Sequence, residues 1–100
     1  MPFYYVTVHG TGIKIQNTSG NGPPAVGFYS VMRLAADSTE DAKRIAIEKC
    51  RHQWASKNFA QKNMGQEPHL EVEEVERAGL FRWLRSRGGA FIFYPDENDE

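Results

Sequence analysis

Residues 28–54, FYSVMRLAADSTEDAKRIAIEKCRHQW, decide the class of fold. The stretch begins in a strand predicted over 25–36, where apolar residues recur at alternate positions, and continues into an amphipathic helix. Ser38 is the predicted N-cap of that helix, because its hydroxyl can accept a hydrogen bond from the amide of Asp41. Small and apolar residues then recur every four positions and predict the helix face that packs on a sheet. They are Ala42, Ala46, Cys50 and Trp54.

Further strands are predicted on both sides of this junction. Aromatic and β-branched residues indicate a first strand at 3–9, and the glycines that follow indicate a bulge before the strand resumes as an arm. Alternating acidic and apolar residues predict a third strand at 69–76, with a bulge or the strand end near Glu74. Apolar spacing within 80–84 predicts a short helix, and residues 90–94 predict a last strand.

The predicted element order is therefore β-β-α-β-(short α)-β. This order describes an α+β fold, with a four-stranded, mainly antiparallel sheet and one long helix packed on one face. The chain has 100 residues, of which 40% are hydrophobic and 25% charged, as in an ordinary globular domain. We expect a single α+β domain over residues 1–95 and a disordered acidic tail at 96–100.

Composition also limits the classes of function. The formal net charge of −1 argues against a general polyanion or membrane binder. The single cysteine permits no internal disulfide, which favours a reducing compartment. Since no leader pattern and no apolar run of membrane length are present, we expect a cytoplasmic protein with no membrane partner.

Residues 34–42, LAADSTEDA, resemble the strand-to-helix turn of small ferredoxin-like α+β proteins. In those proteins a strand that ends in Ala-Asp-Ser leads into a helix that opens with Glu-Glu-Ala or a similar sequence. The whole chain also resembles small bacterial proteins of unknown function. The resemblance implies a ferredoxin-like-related sandwich, and it carries no catalytic residue over to this chain.

The residues able to bind metal do not form a recognisable motif. Cys50 and His52 are two positions apart on the predicted helix, so their side chains diverge and cannot share one ion. His9 and His69 could approach each other only if the first and third strands were neighbours, and a third ligand would still be missing. The glycines at 10–12 lack the pattern of a phosphate-binding loop. We therefore predict no metal and no cofactor, and we interpret Cys50 as a buried structural residue.

Acidic residues alternate along the third strand, which is typical of a solvated face or a protected sheet edge. They are Glu71, Glu73, Glu74 and Glu76. Acid–base work by a pair of them would require burial or mutual repulsion to shift a pKa. No catalytic constellation is visible, and an enzyme is the less favoured interpretation.

The leading hypothesis is a protein-interaction module that forms a homo-oligomer or binds another protein through an uncovered, aromatic-rich sheet face. The first alternative is single-stranded nucleic-acid binding through the arginine–aromatic segment 77–87. The possible interaction residues are Arg82, Trp83, Arg85, Arg87, Tyr29 and Arg33.

The second alternative is a small-molecule enzyme in a dimeric ferredoxin-like fold, with an apolar pocket that has His9 or a tyrosine at its mouth. The residues that could supply polar groups there are Tyr4, Tyr5, Tyr29, Tyr94 and His9.

Overall fold

A computed structural model describes residues 2–16, 23–79 and 91–95 of the chain. The strands within them are β1 (Phe3–Ile15), β2 (Ala25–Ala35), β3 (His69–Ala78) and β4 (Phe91–Pro95), and the helices are α1 (Thr39–Ser56) and α2 (Phe59–Lys62). The α+β class and the four-stranded sheet with one main helix are confirmed. The short helix predicted within 80–84 and the tail predicted at 96–100 lie outside the described residues.

The sheet has the strand order β3-β1-β2-β4, and every neighbouring pair is antiparallel. β1 and β2 form a long hairpin, β3 pairs with the outer side of β1, and β4 pairs with the outer side of β2. A ferredoxin-like chain runs β-α-β-β-α-β, whereas this chain places a hairpin before its first helix. The strand order therefore differs from the one that the resemblance implied, and the sandwich packing is not confirmed.

α1 covers one face of this sheet, as the sequence predicts. Ala42, Ala46 and Cys50 are fully buried and Trp54 is 5% exposed, so the stripe of spacing four is the packed side of the helix. Three small residues let the helix lie close to the strands, where the buried side chains include Val6, Val8, Phe28 and Met32. At the start of the helix, the Ser38 hydroxyl accepts a hydrogen bond from the Asp41 amide at 3.1 Å, which confirms the predicted cap.

The two glycines of β1 have different roles. The pairing of β1 with β2 shifts register between Thr11 and Ile15, and Gly12 there adopts a φ of 84°, which confirms the predicted bulge. Gly10 instead pairs in register with Phe28, whose ring lies across it. A Cβ at Gly10 would come within 3.0 Å of Phe28 Cδ1 and closer still to two further ring atoms. Gly10 is therefore required by packing and not by the bulge.

β3 contains a second bulge, close to the predicted position. Its pairing with β1 shifts register between Thr7 and Val8, so that Glu73 is the extra residue between the pairs Val8–Val72 and Thr7–Glu74. Glu73 and Glu74 are consecutive exposed residues and interrupt the alternation that runs from His69 to Glu73. β3 lies at the edge of the sheet, where exposed carboxylates oppose pairing with another strand. No helix in the described part of the chain is long and apolar enough to cross a membrane.

Candidate functional site

The sheet face opposite α1 forms the first candidate surface, which we call the open face. It includes Tyr29 at 40%, Val31 at 39% and Ile92 at 64% exposure. Tyr29 and Arg33, two of the predicted interaction residues, both lie on this face, with Val31 between them on β2. The other four predicted interaction residues lie outside the described part of the chain. They are Arg82, Trp83, Arg85 and Arg87.

A carboxylate, an imidazole and a phenol form a hydrogen-bonded chain on the open face. Nδ1 of His9 lies 3.0 Å from Oε1 of Glu73, and Nε2 of His9 lies 2.5 Å from the hydroxyl of Tyr94. The Tyr29 ring stacks on the His9 ring, with 4.4 Å between centroids and 10° between planes. We call these four residues the His9 cluster.

The bonding pattern assigns a direction to each hydrogen bond of the His9 cluster. An ionised carboxylate only accepts, so Nδ1 of His9 carries the hydrogen that is donated to Glu73. In the neutral ring, Nε2 then accepts from the Tyr94 hydroxyl. Burial raises the pKa of Tyr94 above its ordinary value of 10.0, and the neighbouring Tyr29 and Glu73 raise it further. Tyr94 is thereby held as a neutral donor and is not activated as a phenolate.

Two backbone features position this cluster. The bulge in β3 adds Glu73 beside His9, so that the carboxylate comes from an extra residue of the strand. On β2, Gly27 pairs with Tyr94, and a Cβ on Gly27 would collide with the Tyr94 ring and hydroxyl. Because His9 is 64 residues from Glu73 and 85 from Tyr94, the sequence offered no local signal for this cluster.

A cavity of about 720 Å³ forms the second candidate site, at the far end of the β1–β2 hairpin. It lies between α2, the segment after α2 and the outer strand β4. The apolar residues that line it are Ile15, Pro23, Ala25, Phe59, Met64, Phe93 and Pro95. Phe59 fixes one wall, since its ring packs against Phe93 with 5.0 Å between centroids. The second wall is held by Asn63, whose side chain accepts from the Lys14 amide at 2.8 Å.

Polar groups are few in the cavity lining. They belong to Gln16, Lys62 and Tyr94. No carboxylate of the described residues forms an ion pair with Lys62. An apolar lining with one cation is suited to a ligand that is mostly hydrocarbon.

The cavity and the His9 cluster lie on opposite sides of β4. Phe93 packs on Phe28 and Phe59, on the helix side of the sheet, whereas the hydroxyl of Tyr94 reaches His9 on the open face. Tyr94 thus lines the cavity, while its hydroxyl is bonded on the other face. The cavity has Tyr94 in its lining, but the polar chain of the His9 cluster does not face into it.

Among the described residues, His9, His69 and Cys50 do not come together in one site. The described residues contain no group of three or more His, Cys, Asp or Glu side chains that could hold a metal ion. β1 and β3 are neighbours, yet His69 bonds Glu71 at 3.1 Å and His9 bonds Glu73, so the two histidines have separate partners. Cys50 is fully buried, and burial raises its pKa to about 11, which leaves the thiol unreactive at neutral pH.

A comparison of the chain with known protein families, curated proteins and solved structures finds no match.

Proposed function

We propose that this protein is a binding module whose ligand is a small, mainly apolar molecule held in the cavity beside α2. The observation that supports this proposal is the size of the cavity together with its lining. Its volume of about 720 Å³ lies within the range of about 300–1,000 Å³ that is usual for small-molecule sites. Large apolar side chains line it, among them those of Phe59, Met64 and Phe93.

The free energy of burying an apolar ligand in this cavity is large enough for its binding to be measured. Burying a methylene or an equivalent area of ring contributes about 0.8 kcal/mol, so about ten such groups contribute roughly 8 kcal/mol. Loss of translational and rotational freedom opposes binding by about 4 kcal/mol or more. The difference corresponds to a dissociation constant of about 1 mM. A three-ring probe has about fifteen such groups, so the same difference is about 8 kcal/mol, a dissociation constant of about 1 μM that a titration can saturate.

N-phenyl-1-naphthylamine tests the proposal, because it is uncharged and fluoresces in apolar sites. We expect a saturable rise in fluorescence with one molecule bound per chain. Ala25→Phe places a ring in the lining and should abolish the signal. Ala60→Phe is the matched control, since Ala60 is exposed on α2 and does not line the cavity. Equal binding by both variants, or no saturable binding by the wild-type chain, would refute the proposal.

A second candidate function is self-association through the open face, with a second copy of the chain as the partner. It is supported by the shared exposure of Tyr29, Val31 and Ile92 on that face. Tyrosines are enriched at protein interfaces, and they recur on this face. Some ferredoxin-like domains dimerise, and the relationship of this chain to them stays a prediction.

Sedimentation velocity at micromolar concentrations tests self-association. We expect the wild-type chain to be dimeric and Val31→Lys to be monomeric. In a dimer, the ammonium of Lys at position 31 would be buried in the interface with no carboxylate to pair with it. Glu48→Lys, on the exposed side of α1, adds the same residue away from the open face and should remain dimeric. A wild-type chain that is monomeric throughout would exclude this function.

A further inference from the structure

We propose that the cavity ligand is an organic anion, an apolar molecule that ends in a carboxylate, sulfonate or phosphate group bound by Lys62. This inference rests on the proposed small-molecule function and narrows its ligand class. It follows from the charge of the lining, where Lys62 is the one ionised side chain among the described residues and none of them is a carboxylate.

Lys62 differs in its surroundings from two cations of α1, Lys43 and Arg44. Lys43 pairs with Glu40 at 3.4 Å, and Arg44 lies 3.6 Å from Glu48, so both have carboxylates on their own helix. Lys62 has no such pair among the described residues. Within the described residues, its ammonium is therefore available to an added anion.

The position of Lys62 beside an apolar wall strengthens such a pair. Charges interact more strongly where low-dielectric groups replace water on one side. The acidic residues of β3 are at the opposite edge of the sheet from β4, so their field at the cavity is screened by distance and by salt. Among the described lining residues, an anionic ligand would thus meet one cation and apolar side chains. A cationic ligand would meet Lys62 and no carboxylate of those residues.

The acidic residues 96–100 follow Pro95 directly in the sequence and would compete for Lys62 if they reached it. The full chain is therefore the form to test. 1-Anilinonaphthalene-8-sulfonate and N-phenyl-1-naphthylamine are a matched pair of probes, since they share one ring system and differ by the sulfonate. Titrating both by fluorescence separates the contribution of the charge from that of the rings.

We expect the sulfonate probe to bind more tightly than the uncharged probe. Lys62→Met should weaken the sulfonate probe by up to about fivefold, because Lys62 is exposed and an exposed ion pair contributes at most about that factor. Lys62→Met should leave the uncharged probe within about twofold, because the apolar contacts are kept. Lys43→Met removes the same charge on α1 and should change neither probe.

Equal affinity of the sulfonate probe for the wild-type chain and Lys62→Met would overturn the anion proposal while the cavity proposal stood. The same holds if Lys43→Met weakens the sulfonate probe as much as Lys62→Met, since net charge alone would then explain the effect. Failure of the uncharged probe to bind the wild-type chain would instead overturn the proposed function itself. The two proposals can thus fail separately.

Discussion

Replacing Gly10 by alanine tests the packing at the centre of the sheet. The added Cβ would lie within 3.0 Å of Phe28 Cδ1 and closer to Cε1 and Cζ, whereas ordinary contacts begin at 3.4 Å. Phe28 is fully buried and packs against Trp54 and Phe91, with centroid distances of 5.4 and 4.9 Å. The ring therefore cannot retreat without displacing the core between the sheet and α1.

The expected cost is at the upper end of the range for overpacked cores, about 3 kcal/mol. That is a large part of the roughly 5–15 kcal/mol by which a domain of this size is stable. For such a domain each kcal/mol lowers Tm by about 4–8 °C, so Gly10→Ala should lower Tm by roughly 12–24 °C.

Thermal and urea unfolding followed by circular dichroism measures this effect. Gly79→Ala is the control, because Gly79 is exposed and a Cβ there meets no atom within 4 Å, so its effect should stay within about 0.5 kcal/mol. The double variant Gly10→Ala/Phe28→Leu replaces the ring by a smaller side chain. Its loss in free energy of unfolding should therefore be smaller than the sum of the losses in the two single variants. A Gly10→Ala protein as stable as the Gly79→Ala control would refute the packing described for Phe28.

Three further predictions concern the His9 cluster, the helix cap and the buried thiol. Gly27→Ala drives the Tyr94 ring away from His9, so the pKa of Tyr94 should fall towards its ordinary value of 10.0. Titration of the phenolate absorbance, with Tyr94→Phe as the reference, measures this pKa. An unchanged pKa would contradict the contact between Gly27 and the Tyr94 ring. Ser38→Ala removes the hydroxyl that accepts from the Asp41 amide, so it should lower the free energy of unfolding by about 1 kcal/mol. Urea unfolding measures this loss, and an unchanged free energy of unfolding would argue against the cap. Because burial raises the pKa of Cys50 from 9.0 to about 11, the stability that the neutral thiol contributes is complete below pH 9 and is lost as the pH rises towards 11. Cys50→Ala should therefore flatten the decline in stability over that interval, and an equal decline in both proteins would show that Cys50 does not contribute to it.

Local signals in the sequence were sufficient for the helix and its cap. The helical period is a property of neighbouring residues, so the spacing from Ala42 to Trp54 identified the buried face without knowledge of the sheet. Ser38 could be assigned in the same way, because its partner Asp41 is three residues away. The bulge near Glu74 was also visible, since Val75 interrupts a strict alternation.

Both candidate sites depend on contacts between distant parts of the chain, which local patterns do not determine. The His9 cluster exists only because the strand order places β3 beside β1 and β4 beside β2. The cavity requires α2, a helix of four residues that is too short to show an apolar period. The sequence alone assigns Gly10 to the bulge, because the contact of Gly10 with Phe28 spans the hairpin and leaves no local pattern.

The most direct test of the cavity as a ligand site uses the two described methionines. Met64 lines the cavity and is 61% exposed, whereas Met32 is fully buried in the core between the sheet and α1. In the protein labelled with ¹³C at the methionine methyl groups, titration with N-phenyl-1-naphthylamine should shift the Met64 resonance saturably and leave Met32 unchanged. A Met64 resonance that does not move while the probe fluorescence saturates would show that the probe binds elsewhere, and would contradict the proposed function.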